Sequence, residues 1–86
     1  MQSSKLQTCL HVLKVLEKKP QSTFDDLLQD TKLERNQLEY SLDLLAENIL
    51  VREQTNLNNK TIYRATERGR RVLSFFSING IFSVSQ

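Results

Sequence analysis

The stretch LERNQLEYSLDLLAENIL, residues 33–50, decides how this chain folds. Leu38, Leu42 and Leu45 follow the i, i+4, i+7 spacing of a helix that buries one face. The opposite face is polar and charged, and it carries Arg35, Asn36, Glu39, Tyr40 and Asp43. Beyond residue 48 the pattern becomes that of β-strands. The stretch therefore predicts an amphipathic helix over about residues 34–48 that leads into a strand.

Two further helices are predicted before this one. The first spans residues 4–19 and stops before Pro20, because a residue that precedes proline avoids the helical conformation. Its predicted buried stripe consists of Leu6, Leu10, Leu13 and Leu16. The second is a two-turn helix in QSTFDDLLQDT, capped by Ser22 or Thr23. A short connection, TKLE, joins it to the third helix with Leu33 packed into the turn, which is typical of a helix-turn-helix.

A hairpin and a last helix are predicted after the third helix. The β-rich segments ILVREQT and TIYRAT flank the polar turn NLNNK, which places the wing tip at residues 55–60. The last helix is expected to start at Thr66 and to end at Asn79-Gly80. The tail, residues 79–86, carries a weak strand pattern.

These elements define the predicted fold class. The protein is expected to be mainly α with a small β-hairpin, an α+β winged helix-turn-helix of order ααα-ββ-α. We expect a single domain over residues 1–86, with its core at about residues 4–78.

Charge is distributed unevenly along the chain. The 86 residues contain 12 Lys and Arg against 10 Asp and Glu, for a net charge of +2. Residues 22–48 hold seven acidic and two basic side chains, whereas the segments on either side are basic. An acidic centre between basic ends is a patterned surface, and for a charged partner the pattern matters more than the total.

Composition argues against several other classes of protein. Cys9 is the single cysteine, so an internal disulfide is impossible, and with His11 as the single histidine a structural zinc site is not expected. No catalytic residues, metal, cofactor or small-molecule ligand are predicted, and the protein is not expected to be an enzyme. No signal segment and no apolar run of about 18 residues is evident, so we predict a cytoplasmic protein with no membrane partner.

Over roughly residues 8–76 the sequence resembles the archaeal winged-helix transcription regulators. The first block of matching residues is Leu33, Gln37, Leu38, Leu42, Leu44, Leu45, Glu47, Leu50 and Val51. The second block is Tyr63, Thr66 and Gly69, within YRATERGRRVL. The family has a glycine before the first wing strand, where this chain has Ile49, and we expect Asn48 to take the left-handed conformation that ends the helix.

The resemblance implies binding to double-stranded DNA, with the third helix as the recognition helix in the major groove. The predicted DNA-binding residues on this helix and its preceding turn are Lys32, Arg35, Asn36, Gln37 and Tyr40. Arginine reads guanine and side-chain amides read adenine, whereas the lysine and the tyrosine are expected on the phosphate backbone or, for the tyrosine, on a thymine methyl. If the third helix enters the major groove by its amino-terminal end, Asp43 stays away from the phosphates. The alternative is a solvated helix face with no partner.

The wing and the basic run RGRR supply further candidates. On the wing these are Asn58, Asn59, Lys60 and Arg64, expected on the backbone or in the minor groove. For the asparagines, a purely structural role in a turn is the competing interpretation. The run RGRR is predicted either to contact phosphates or to pair with the acidic second helix. Gly69 within it is expected to pack closely against the first helix or the hairpin.

An apolar surplus near the end of the chain predicts a homodimer. Phe75, Ile78 and Phe82 exceed what one inner helix face needs, and a symmetric partner is the simplest cover. A tail folded back on its own domain is the alternative. The leading functional hypothesis is a sequence-specific DNA-binding transcription regulator. The alternative is a winged-helix protein–protein interaction module in a transcription or replication assembly, motivated by the acidic centre.

Overall fold

The computed structural model describes residues 5–78, with side chains as far as Phe76. The elements follow the predicted order, with one additional short strand. They are α1 (Lys5–Lys18), β1 (Ser22–Thr23), α2 (Phe24–Thr31), α3 (Arg35–Glu47), β2 (Val51–Thr55), β3 (Thr61–Ala65) and α4 (Glu67–Ile78). Helices α2 and α3 form the helix-turn-helix, and strands β2 and β3 form the wing. The predicted fold class is therefore confirmed.

Strand β1 makes the sheet three-stranded and was not predicted. The sheet is antiparallel in the order β1-β3-β2, with Ser22 opposite Tyr63 and Thr23 opposite Ile62. Ser22 is buried, and its hydroxyl donates to the Lys19 carbonyl over 2.7 Å. Two residues carry no periodicity of their own, so only their pairing with a distant strand reveals them as β-structure.

Thr23 is the N-cap of α2, which resolves the choice between the two predicted caps. Its hydroxyl accepts from the Asp26 backbone N–H and its own N–H donates to the Asp26 carboxylate, each over 3.1 Å. This reciprocal pair is a capping box. It joins the sheet directly to the first turn of α2.

The core is built mainly from leucines on three helices. Leu10, Leu13 and Leu16 of α1 pack with Leu27 of α2 and Leu38 of α3 in one cluster. The prediction for Leu6 was wrong, since this side chain is 49% exposed. Leu6 does share the helix face of the buried leucines, because a helix turns by about 100° per residue. It is nevertheless exposed because it lies in the first turn of α1, one turn before the first buried residues of that helix.

The junction between α3 and β2 corrects a second expectation. Asn48 does not take the left-handed conformation (φ −95°, ψ 9°); Ile49 does, with φ 58°. The backbone N–H of Ile49 donates to Ala46 over 3.0 Å and that of Leu50 to Leu45 over 2.8 Å. This is a Schellman motif, in which the left-handed position falls one residue after the cap and normally holds glycine. Here a β-branched residue occupies it.

Replacing Ile49 with glycine is expected to raise the free energy of unfolding by about 1 kcal/mol. The left-handed conformation is unfavourable for a residue with a Cβ, and this relief outweighs the extra freedom that glycine gains in the unfolded chain. Little packing is lost, because Ile49 is 61% exposed. Urea unfolding would measure the change, with Ile49→Val as a control that keeps the branched Cβ and the wild-type stability. A glycine variant less stable than the wild type would contradict this assignment of strain.

Gly69 brings the start of α4 against the α3–β2 junction. A Cβ at this position would overlap the Leu50 carbonyl oxygen and lie 3.2 Å from Cδ2 of Leu13. The predicted close packing of Gly69 is thus confirmed, and it involves both α1 and the residue that leads into the wing. The junction is tied further by Thr66, whose N–H donates to the Leu50 carbonyl over 3.0 Å and whose hydroxyl donates to the Ile49 carbonyl over 2.7 Å.

Part of the prediction concerns residues that the structure does not describe. The helix end at Asn79-Gly80 and the tail over residues 79–86 lie outside the described residues. Within residues 5–78, no helix combines the length and the apolar character needed to cross a membrane.

Candidate nucleic-acid interface

Helix α3 points its first turn outward. Leu38, Ser41 and Leu42 are buried, whereas Arg35 and Asn36 are exposed. The Glu34 backbone N–H donates to Oε1 of Gln37 over 3.1 Å, which fastens the start of the helix. The two-faced helix predicted from the sequence is therefore present, with its amino-terminal tip accessible.

Arg35 and Lys60 line the same cleft. Its other lining residues are Thr23, Phe24, Asp25 and Thr61, so the start of α2 lies beside both the tip of α3 and the start of β3. The Arg35 guanidinium carbon lies 5.0 Å from the centroid of the Phe24 ring, a cation–π contact. Two distant parts of the sequence thus place their cations beside one opening. Phe24, which supports Arg35, is not among the residues predicted for the interface.

The carboxylate of Asp26 stands close to this cleft. Its pKa lies below the usual range, chiefly because the Thr23 backbone N–H donates to it, with smaller contributions from the charges of Lys19 and Lys60. The group is ionised at neutral pH and offsets part of the positive charge of Lys60. Lys60 therefore has an acidic neighbour on α2 that sequence reasoning did not assign to it.

Lys32 and Tyr40 are both exposed on the helix-turn-helix. Lys32 is the C-cap of α2 in the left-handed conformation (φ 60°, ψ 25°), and its N–H donates to Leu28 over 3.0 Å. Tyr40 is exposed, with the Lys5 ammonium 5.0 Å from its ring centroid. Lys5 adds a cation from α1 that sequence reasoning missed, because nothing in the local sequence indicates that the start of α1 approaches α3.

A second cleft, between α3 and the wing, is acidic. Tyr63 lies there with Glu39, Asp43 and Glu53. The pKa of the Tyr63 hydroxyl is raised, first by burial and then by these three carboxylates. The cleft at the α3 tip combines Arg35 and Lys60 with Asp25, whereas the cleft around Tyr63 holds three carboxylates and, among the described residues, no cation. Of these two clefts, the one at the tip is the more favourable for a polyanion.

The wing tip is organised by Asn56. Its side-chain oxygen accepts from the N–H of Asn58 over 2.9 Å and from that of Lys60 over 3.0 Å. Asn59 takes the left-handed conformation, with φ 63°, and donates its N–H to the Asn56 carbonyl over 3.0 Å. Asn59 therefore has the structural role expected of a turn residue. The side chains of Asn58, Asn59 and Lys60 are exposed.

Arg64 lies apart from the other predicted DNA-binding residues. Alternate residues of a strand face opposite sides of the sheet, so Arg64 faces away from the side on which Tyr63 meets α3. It lines a groove with Arg52 and Arg70 instead. Arg64 and Arg35 thus belong to different surfaces.

One arginine of the basic run RGRR forms an ion pair within its own helix. Arg71 binds Glu67 one turn earlier, with 2.9 Å between the guanidinium nitrogen and the carboxylate oxygen. Among the described residues no ion pair joins this run to α2, whose Asp30 binds Lys19 over 3.2 Å. Both pairs are largely exposed and contribute little to stability. The alternative in which RGRR neutralises α2 within one chain is therefore not realised.

Cys9 and His11 each make a hydrogen bond within the fold. Cys9 is buried, and burial raises the pKa of its thiol against the opposing effect of a hydrogen bond with Ser41. The Nε2 atom of His11 donates to the Thr31 carbonyl over 3.1 Å. In the part of the chain that the structure describes, no three histidine, cysteine or acidic side chains converge as metal ligands would.

The predicted dimerisation surface is described only in part. Phe75 is 60% exposed, and its ring meets the Phe76 ring edge-on with 5.4 Å between centroids. The side chain of Ile78 and the whole of Phe82 lie outside the described residues. Dimerisation through these residues stays a prediction.

The fold defines a winged-helix domain, and solved structures of other winged-helix proteins are similar to it. A MarR-family transcription regulator matches with a TM-score of 0.81 and 18% identity, over 91% of this chain and 53% of that chain. The Campylobacter jejuni peroxide stress regulator matches with a TM-score of 0.69 and 29% identity, over 73% and 50%. The Zalpha domain of zebrafish PKZ matches with a TM-score of 0.70 and 20% identity, over 76% and 100%.

These similarities establish the winged-helix fold. The chain spans about half the length of the two regulators. No protein-family model matches the sequence, and no curated protein does. The archaeal character of the resemblance stays a prediction, since the named regulators of known source are bacterial.

Proposed function

We propose that this protein is a sequence-specific double-stranded DNA-binding transcription regulator. The supporting observation is the accessible tip of α3, where Arg35 shares one cleft with Lys60 of the wing. The acidic cleft further along α3 favours insertion of α3 by its tip, which agrees with how recognition helices present their first turns to the major groove. Similarity to the fold of MarR-family regulators supports the same function.

The side chains at the tip of α3 are expected to contact different parts of the DNA. Arg35 has the donor geometry for a bidentate contact with guanine. Reading adenine requires both the oxygen and the nitrogen of a side-chain amide, and Oε1 of Gln37 already accepts from Glu34. Asn36 is therefore the better adenine reader. Lys32, Tyr40 and Lys60 contact the phosphate backbone. Asn58 and Asn59, at the tip of the wing, contact the minor groove.

Association of two copies of the chain would give a dimer with two DNA-binding surfaces. A dimer formed through Phe75, Ile78 and Phe82 would present two α3 tips to half-sites about one helical turn apart on a two-fold operator. The supporting observation is the exposed ring of Phe75 on α4.

A salt titration of binding to mixed-sequence duplex DNA, followed by selection from a random duplex pool, tests the proposal. We expect affinity to fall steeply with salt, because contacts with phosphates release counterions. We also expect the selected pool to converge on one motif. Salt-dependent binding without convergence would leave only a non-specific DNA-binding protein.

The acidic groove around Tyr63 favours a second candidate function. Glu39, Asp43 and Glu53 would suit a basic protein partner in a transcription or replication assembly. Such a module would bind no duplex at any salt concentration. It would bind a basic peptide less tightly after Asp43→Asn, which leaves the α3 tip intact.

A further inference from the structure

Three arginines from three elements meet on the side of the sheet that faces away from α3. Arg52 of β2, Arg64 of β3 and Arg70 of α4 line one groove with Gln54, Thr66 and Glu67. Arg64 and Arg70 also line the adjoining groove, beside Glu17 and Pro20. The two openings form one continuous surface, hereafter the arginine surface.

The three arginines of this surface outnumber its two acidic side chains. Arg52 and Arg64 stand directly opposite each other in the β2–β3 ladder, and like charges in that position destabilise a sheet. Within residues 5–78, none of the three arginines makes an ion pair. Of the two acids that line the arginine surface, Glu67 binds Arg71 instead, and among the described residues Glu17 makes no ion pair with these arginines. The chain therefore concentrates three guanidinium groups at a cost to its own stability.

The chemistry of the groove suits phosphate. Guanidinium groups present several N–H donors in a fixed plane and bind phosphate oxygens in a bidentate manner. Three guanidinium groups on one concave surface can bind several phosphates of a nucleic-acid backbone at once. A small ligand with one carboxylate would use only one of the three. They offer no selectivity for bases, because contacts with phosphates carry no sequence information.

We propose that the arginine surface is a second binding site for nucleic-acid backbone, independent of the α3 tip. This inference rests on the proposed DNA-binding function and extends it: α3 selects the sequence, and the arginine surface supplies affinity that does not depend on sequence. A bound polyanion would also relieve the repulsion between Arg52 and Arg64.

The first experiment tests anion binding without DNA. Thermal unfolding is followed with and without sodium tripolyphosphate at constant ionic strength. The wild type is expected to show a higher Tm with tripolyphosphate, and the variant R52Q/R64Q/R70Q is expected to lose most of this increase. R35Q/K60Q should retain it. Arg70→Gln and Arg68→Gln form a matched pair on α4, since Arg68 does not line either groove; only Arg70→Gln should reduce the increase.

The second experiment measures the salt dependence of binding to a non-specific duplex by fluorescence anisotropy. In R52Q/R64Q/R70Q the slope of log affinity against log salt should decrease by about two to three units, since each lost phosphate contact removes about 0.9. The preference for the selected sequence over a random one should be unchanged. In Arg35→Gln the preference should decline instead.

The two readouts separate the possible failures. A Tm increase equal in the wild type and in R52Q/R64Q/R70Q, or absent from the wild type, would overturn the arginine surface as an anion site. A Tm increase that depends on the three arginines, together with an unchanged salt slope, would overturn its assignment to nucleic acid. If no duplex binds the wild type at all, the proposed function fails, while the tripolyphosphate measurement still decides whether the arginine surface binds anions.

Discussion

Gly69→Ala is expected to lower the free energy of unfolding by about 1–3 kcal/mol, the usual cost of inserting a methyl group into a closely packed site. In an ordinary exposed helix the same change would stabilise by about 1 kcal/mol, because alanine is the better helix former. The opposite sign is expected here because the new Cβ would overlap the Leu50 carbonyl oxygen and press on the Leu13 side chain.

The Leu50 carbonyl cannot easily move aside. It accepts from the Thr66 N–H, and the adjacent Ile49 carbonyl accepts from the Thr66 hydroxyl. Displacement would therefore separate the start of α4 from the wing. Guanidinium unfolding would measure the effect, with Ser74→Ala as the control at an exposed position of the same helix. Wild-type stability in Gly69→Ala would mean that α4 does not approach the junction as closely as described.

Arg35→Ala is expected to reduce affinity for the selected operator by about 5- to 150-fold, corresponding to the 1–3 kcal/mol of a bidentate base contact. Binding to non-specific duplex should decline much less, because the discriminating contact is with a base edge. Anisotropy titrations on the two duplexes would give both values. Circular dichroism should accompany them, because Arg35 also packs on the Phe24 ring.

Lys60→Ala provides the contrasting variant from the same cleft. Its contact is expected with phosphate, so both affinities should decrease together and the salt slope should become smaller by about one unit. Equal losses of specific and non-specific binding in Arg35→Ala would show that Arg35, like Lys60, contacts only the backbone. The pair thus tests the division of roles at the α3 tip.

Most of the fold could be predicted because local periodicity marks its elements. The spacing of Leu38, Leu42 and Leu45 predicted α3, and the polar turn NLNNK between two β-rich segments predicted the wing. Where prediction failed, the cause lay beyond the local sequence. Ser22 and Thr23 form β1 only by pairing with β3, and Ile49 is left-handed because its place in the α3–β2 junction requires it.

The candidate site was predictable by residue type but not by arrangement. Arg35 and Lys60 were expected on one interface, and they do line one cleft. Arg64 was assigned to the same interface, yet its position in β3 turns it to the other side of the sheet, with Arg52 and Arg70. The approach of Lys5 to Tyr40 had no local signal at all.

The amino-acid sequence alone determined the order of the four helices and the two wing strands and which face of α3 is apolar, because these depend on residues a few positions apart. The tertiary structure decided which charges meet. It gathers cations at the α3 tip, carboxylates around Tyr63 and arginines behind the wing, because contacts between charges depend on distance in space, and only packing brings remote segments within that distance.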